Sequence, residues 1–361
     1  MDSLIMHNVS YKSSISEILA NGDVSIAPDD FECSLKFADF AKQIRYYQGP
    51  RRVKEKLAEL WNVSTQNLFI GFGVDDIVNH LIAILGHGKS VATFWPAYPF
   101  SEKLAQNAKC SIVRIPLEDT GHYPKVLSDR VVSAIPKIVV LVNPTNPGGK
   151  TISHESVMTY LQQLPQTLFV VDEAYIDFIQ ERTVFPLARE TNRLLVVRSF
   201  SKGFGLPGLR VGMAFCQNNE LIAQLEEARF FFFTPLSIEG ALWALSHENV
   251  WRTTIELNLK IKEKIMYLVN QIEGISPVMT ETNFVLVRVN PGIDMVCLQK
   301  ECLQCGLHFW WFNETKLFQD YFGHPIKHAS LKNTFRISPV NMENIDKLAS
   351  LLKMAVNRSQ I

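Results

Sequence analysis

The sequence predicts an α/β protein whose main sheet is parallel and covered on both faces. Two observations carry this. The runs Lys137-Ile-Val-Val-Leu-Val142, Thr167-Leu-Phe-Val-Val171 and Leu194 to Val197 are almost continuously apolar and rich in β-branched residues. Such runs suit strands buried on both sides, whereas a half-exposed strand would alternate. The first and last of these runs lead into turns rich in Gly or Pro, and the middle one ends at the acidic pair Asp172-Glu173. A third observation is length: 361 residues exceed one small domain and predict a large domain with a smaller one beside it. The expected division is an arm over 1–40 that joins the small domain, a large domain over 41–260 and a small α/β domain over 261–361.

Lys plus Arg and Asp plus Glu both total 36, so the net charge is zero. That argues against a nucleic-acid or membrane-surface partner. Hydrophobic residues make up 47%, enough for a large core, and 23 Phe predict aromatic-lined surfaces. Among six Cys, Cys302 and Cys305 form a lone CxxC with no second pair. They read as free thiols on a helix, and no metal site is expected. The first residues lack a basic stretch followed by an apolar one, and no run is long enough to span a membrane. A cytoplasmic protein is the expectation.

Taken in order, Ser13 to Ala20 reads as a short helix stopped by Asn21-Gly22, and Ile26 to Asp30 as loop. Ile44-Arg-Tyr-Tyr-Gln-Gly-Pro50 precedes a helix over Val53 to Leu60, with Val53, Leu57, Leu60 and Trp61 on one face. Asn67 to Gly86 reads as strand, Gly turn, helix. Gly71 and Gly73 let the backbone approach a ligand, and Val74 and Asp75 fall in the first helical turn, where free N–H groups favour a phosphate. Ser90 to Phe100 is a strand and a Pro-rich turn holding Tyr98. The strand at 137–142 leads into Asn-Pro-Thr-Asn-Pro-Gly-Gly149, with Asn146 inside the turn. Asp172 ends the next strand, the end at which open α/β sheets bind ligands. Beyond Gly212 to Cys216, a further strand, come a helix from Asn218 to Leu225, four consecutive Phe (Phe230 to Phe233), and helices over Glu239 to His247 and Val250 to Ile272. The last has an apolar stripe of Leu257, Ile261, Ile265, Leu268 and Ile272, fit to bridge two domains. Thr282 to Arg288 and Asn333 to Ser338 read as small-domain strands. Met295 to Cys305 and Met342 to Val356 read as helices.

The chemistry centres on Val196-Val-Arg-Ser-Phe-Ser-Lys-Gly-Phe-Gly-Leu-Pro-Gly-Leu-Arg-Val-Gly212. A buried strand opens into a loop holding Ser199, Ser201, Lys202 and Arg210. A desolvated lysine near another cation can act as an amine nucleophile. Two hydroxyls and a guanidinium suit a phosphate. Together they suit pyridoxal 5'-phosphate (PLP), whose aldehyde engages a lysine while its phosphate is held separately.

This stretch resembles the Schiff-base lysine motif of fold-type I PLP enzymes, the class I/II aminotransferases, and is most similar to the histidinol-phosphate aminotransferase branch. The resemblance runs over about 44–356 with the motifs in order. It implies a mainly parallel seven-stranded sheet with helices on both faces, a small C-terminal α/β domain, and an L-amino acid as substrate. Lys202, Asp172 and Tyr175 would be catalytic. The same resemblance implies that Tyr98 stacks on the cofactor ring, that Asn146 and Tyr175 meet its phenolic oxygen, and that Asp172 faces its pyridine nitrogen. Ser199, Ser201, Arg210 and the Val74/Asp75 backbone would hold its phosphate. Arg336 would grip the substrate carboxylate beside Asn146. A homodimer is implied, with Tyr46, or Tyr47 as second choice, reaching the partner's phosphate site.

Two stretches depart from the family pattern. The Asn-Glu-Asn-Pro-like segment expected near 26–30 is not recognisable. The family's Gly-Ile-x-x-Arg, whose arginine helps bind a substrate phosphate, is replaced by Gly306-Leu-His-Phe-Trp-Trp-Phe312, with Trp310 and Trp311. An aromatic segment packs on apolar or cationic groups but does not neutralise a phosphate. The expected activity is therefore transamination of an amino acid that is not a phosphate ester. The alternative is a lyase, cyclase or decarboxylase of a guanidino or aromatic amino acid on the same scaffold.

Overall fold

The computed structural model describes residues 41–312 and 328–361. The expected arm, with its helix at Ser13 to Ala20 and loop at Ile26 to Asp30, lies outside the described residues.

The larger sheet contains β1 (Leu68–Gly71), β2 (Ser90–Trp95), β3 (Ser111–Pro116), β4 (Ile138–Val142), β5 (Leu168–Asp172), β6 (Leu194–Ser199) and β7 (Gly212–Phe215). Their order is β1-β7-β6-β5-β4-β2-β3. β2 runs parallel to β3 and β4, and β4, β5 and β6 continue in the same direction. β7 is antiparallel to both its neighbours, β6 and β1. This is the seven-stranded, mainly parallel sheet that the family resemblance implies.

Burial on both faces follows from the two-residue period of a strand. Val139, Leu141, Phe169 and Val171 join an apolar cluster on one face. Their neighbours Ile138, Val140, Leu168 and Val170 join a second cluster on the other. Each fully buried aliphatic side chain contributes about 1.5–3 kcal/mol, so the central strands anchor everything attached to their ends.

The smaller sheet is antiparallel. It contains β8 (Ile275–Val278), β9 (Val285–Val289), β10 (Trp310–Phe312) and β11 (Thr334–Ile337), in the order β10-β11-β9-β8. It packs in its own apolar cluster with the helices Met295–Gln304 and Ile345–Arg358. The helix Glu248–Val269 links the two cores. Val250 and Trp251 pack near its start on the large cluster, and Ile261, Ile265 and Val269 near its end sit in the small one. Ile272, placed on the helical stripe by the sequence, is buried just past the helix end.

Three strands are not evident from the sequence. β3 lies at the edge of its sheet and is largely half-exposed, so it lacks a continuous apolar run. β8 has a proline inside it, and β10 has three residues, too few to show a period. In the helix Arg51–Trp61, Val53 and Leu57 are buried as expected, but Leu60 faces solvent. Of the four consecutive Phe, Phe233 alone is buried. Cys302 and Cys305 are free thiols, and burial pushes Cys302 above its ordinary range, which leaves it unreactive.

Alternation also divides the aromatic run around β10. Phe309 and Trp311 face the small core, where both rings lie against Phe335, at centroid distances of 5.0 and 4.6 Å. Trp310 takes the opposite face. Replacing Trp311 with Ala should therefore cost about 3–5 kcal/mol in urea unfolding. A loss below about 1 kcal/mol would remove Trp311 from the core.

Candidate active site

Parallel strands bring their carboxyl ends to one edge, and the register lines up the residues there. Val142, Asp172 and Val197 form one row across β4, β5 and β6. Ser199, Gly212 and Gly71 form another across β6, β7 and β1. The loops leaving these rows carry most of the residues singled out in the sequence.

Asp172 is buried at the end of β5, where its Oδ1 accepts a hydrogen bond from the Ala174 amide at 2.9 Å. Burial pushes its carboxyl up to about 7, against the opposing effect of Lys202, and the charge of Asp75 adds to the rise. Lys202 follows β6, with its Nζ 5.2 Å from the centre of the Tyr175 ring. Tyr175 is buried, and its ring meets Phe284 edge-on at 5.5 Å.

The loop after Lys202 is braced from below. The Gly203 amide donates to Asp177, whose carboxyl burial pushes up to about 6. A Cβ at Gly203 would lie 2.2 Å from Asp177 Oδ2, so any side chain there would displace the loop. Asp177 is a positioning residue that the sequence reading missed. The neighbouring Glu173 is fully buried and fixes the strand end through Arg198 at 3.0 Å and the Val184 amide at 2.7 Å.

Gly73 precedes the helix Val74–Leu81 with φ of +92°, a conformation that favours glycine. Arg210 closes over this position: its Nη2 lies 2.8 Å from where a Cβ on Gly73 would stand. Gly212 packs against the Gly73 backbone from the other side, where a Cβ would come within 2.5 Å of the Gly73 carbonyl carbon. Val74 and Asp75 thus begin a helix beside a guanidinium. Ser199 and Ser201 are buried, and the Ser201 amide donates to Ser199 Oγ at 3.0 Å.

The turn after β4 is closed by its own side chains. Asn143 accepts from the Ile152 amide at 3.1 Å and donates to the Arg182 carbonyl at 3.0 Å. Thr145 Oγ1 accepts from the Lys150 amide at 2.9 Å. Asn146 is thereby held in place, and its Oδ1 accepts from Arg336 Nη1 at 2.7 Å. The same turn is tied to the link between β8 and β9. Glu281 accepts from the Thr151 amide and hydroxyl, both at 2.9 Å, and its own amide donates to the Gly149 carbonyl at 2.7 Å.

Tyr98 lies in the turn after β2, its ring 6.2 Å from that of Phe100. Buried Glu102 steadies the turn, accepting from Thr93 at 2.9 Å and from Arg114, whose guanidinium lies over Trp95. Tyr46 and Tyr47 stand apart from this constellation. They are exposed and line a groove of about 900 Å³ with Phe230, Phe231 and Phe232.

The model of the aminotransferase class I and II family matches residues 38–352. The chain belongs to that family. A histidinol-phosphate aminotransferase of Thermoanaerobacter pseudethanolicus is 30% identical over 288 residues, 78% of this chain and 80% of that protein. The crystal structure of histidinol-phosphate aminotransferase from Sinorhizobium meliloti in complex with pyridoxal-5'-phosphate shares the fold, with a TM-score of 0.76 at 22% identity over 89% of this chain and 85% of that one. So does L-threonine-O-3-phosphate decarboxylase from Porphyromonas gingivalis, with a TM-score of 0.68 at 19% identity over 88% and 95% of the two chains.

The residues fit PLP, the cofactor of this family. A buried carboxyl raised to about 7 is stabilised as an anion by a cation such as a protonated pyridine nitrogen. A helix N-terminus flanked by Arg210 and backed by glycine suits a phosphate.

Asp172 makes stability depend on pH in protein freed of cofactor. Its folded pKa lies above the unfolded value of 3.8. The folded state therefore holds this proton more tightly, and stability falls as pH rises from about 4 to about 7, by at most about 1.4 kcal/mol per pH unit. Asp172→Asn should flatten that slope, leaving the cofactor-free variant with the higher Tm at pH 8. Parallel Tm profiles for the two proteins would remove Asp172 as the source.

Proposed function

We propose that this chain is an aminotransferase acting on an L-amino acid that is not a phosphate ester. The observation that carries the reading is the gathering of Lys202, Asp172, Tyr175, Asn146 and Arg336 about one sheet edge, with Trp310 rather than a cation next to Arg336.

When bound, PLP supplies an aldehyde for the amino group and a protonated ring that accepts electrons from Cα. Lys202 Nζ is the amine that would hold the aldehyde, and, free of it, the same Nζ would serve as the general base for the Cα proton. Asp172 would keep a proton on the ring nitrogen, Tyr98 would pack against the ring, and Asn146 and Tyr175 would donate to its phenolic oxygen. Asn146 can do so because Arg336 occupies its Oδ1, which turns the amide nitrogen the other way. Arg336 receives the substrate carboxylate through charge-assisted hydrogen bonds. Ser199, Ser201, Arg210 and the Val74/Asp75 amides would hold the phosphate.

A buried arginine that would hold the substrate carboxylate supports transamination over decarboxylation. The fold itself does not separate the two reactions, since a decarboxylase shares it. Products decide. Purified holoenzyme mixed with single amino acids should form one keto acid per site and stop until a keto-acid acceptor is added. Lys202→Ala should abolish this while keeping the fold. Continuous turnover with no acceptor would replace the proposal with a lyase or decarboxylase.

The working unit is a homodimer in this reading. The exposed groove lined by Tyr46, Tyr47 and Phe230 to Phe232 is apolar and large enough to mark an association surface. Tyr46 would reach the partner's phosphate site from it. Sedimentation should give twice the chain mass of 41.0 kDa, and Phe231→Asp with Phe232→Asp should halve it. A wild-type monomer would end this part of the reading.

A further inference from the structure

The small sheet leaves one large ring outside its core. Trp310 pairs with Arg336 across β10 and β11, so the two side chains share a face. Phe309 and Trp311, on the other face, are buried, but Trp310 is 45% exposed. The guanidinium of Arg336 lies over two rings, 4.7 Å from the centre of Trp310 and 4.8 Å from that of Phe284. Arg336 itself is 1% exposed.

This stack has three consequences. Both rings lie within about 5 Å of the guanidinium carbon, and a ligand carboxylate would be met by the guanidinium N–H groups, one of which already donates to Asn146. A ligand group approaching from the Trp310 side meets indole, and the positive charge is behind it. Finally, half of a tryptophan surface is left in contact with water, and a ligand covering that surface would recover the burial energy it forgoes.

We propose that Trp310 is a specificity-determining residue: it forms the wall against which the substrate side chain packs, and it selects large neutral side chains, apolar or aromatic. The proposal rests on the aminotransferase reading above and names its substrate class. A phosphate or carboxylate side chain gains nothing from an indole face, whose quadrupole is negative. A cationic side chain on that face would share the indole with Arg336, already stacked on it. A flat or branched neutral side chain avoids both penalties.

The test uses PLP-loaded wild type, Trp310→Ala and Trp310→Phe. Donors are L-phenylalanine, L-leucine, L-alanine, L-arginine, L-aspartate and L-histidinol phosphate, each followed by the change in cofactor absorbance at several concentrations. Wild type should prefer phenylalanine or leucine to the charged donors by at least tenfold in kcat/KM. In Trp310→Ala, the kcat/KM ratio of that best donor to alanine should fall about tenfold, mainly through KM. Trp310→Phe should restore the ratio to within about threefold.

A Trp310→Ala variant in which all donors decline together, the ratio unchanged, would overturn the proposal and leave Trp310 as a support for Arg336. So would a wild-type preference for histidinol phosphate, aspartate or arginine. A wild-type protein that binds the cofactor and reacts with no donor would overturn the transamination reading itself, and this proposal with it.

Discussion

A guanidinium buried where the two sheets meet is the constraint on which the site depends. Taking Arg336 out of water costs several kcal/mol unless polar and ring contacts replace its hydration. The replacement comes from separate parts of the chain: Asn146 from the large sheet, Phe284 from the entry to β9, and Trp310 from β10. Each must be in place for the charge to be tolerated. The arginine thus holds the small sheet in register with the turn that carries Asn146. Glu281 supports the same junction through Thr151 and Gly149.

On the large-sheet side, the decisive quantity is the cost of burying Asp172 as an anion. The protein places that carboxyl at the end of a strand covered on both faces and gives it one close backbone donor. Lys202 offsets the cost in part, and the rise to about 7 shows that the offset is incomplete. The site is accordingly set up to welcome a cation. The aromatic contacts from Lys202 to Tyr175, Phe284 and Arg336 connect this region with the buried guanidinium through rigid side chains rather than mobile ones.

What could be read in the sequence follows from how local each signal is. β4, β5 and β6 announce themselves because burial on both faces demands uninterrupted apolar runs. Lys202 and Asn146 stand past the ends of such runs, in turns whose Gly, Pro and Asn content is legible at short range, and Asp172 closes one; Arg336 lies inside β11 and was legible only through the family motif. Asp177 was missed because its value lies in touching Gly203, 26 residues away. Phe284 was read only as part of a strand, and its contact with Arg336 was not read, since that partner is far along the chain. The Trp-Trp pair was visible as a departure from the family pattern. Only pairing with β11 separates the two residues, sending Trp311 into the core and Trp310 onto Arg336. A three-residue strand has no period from which to read that choice.

The reversal of β7 has a further consequence. Parallel neighbours are joined by connections that must return to the opposite edge of the sheet before the next strand begins. β6 and β7 are antiparallel, so the chain between them leaves and re-enters at the same edge. Ser199, Ser201, Lys202 and Arg210 therefore belong to a single excursion, with its two ends clamped by adjacent strands. An insertion or deletion within it would shift the amine and the phosphate-side guanidinium together. Inherited variation should accordingly tune this enzyme through the longer crossovers and the small sheet, leaving this one segment nearly fixed in length.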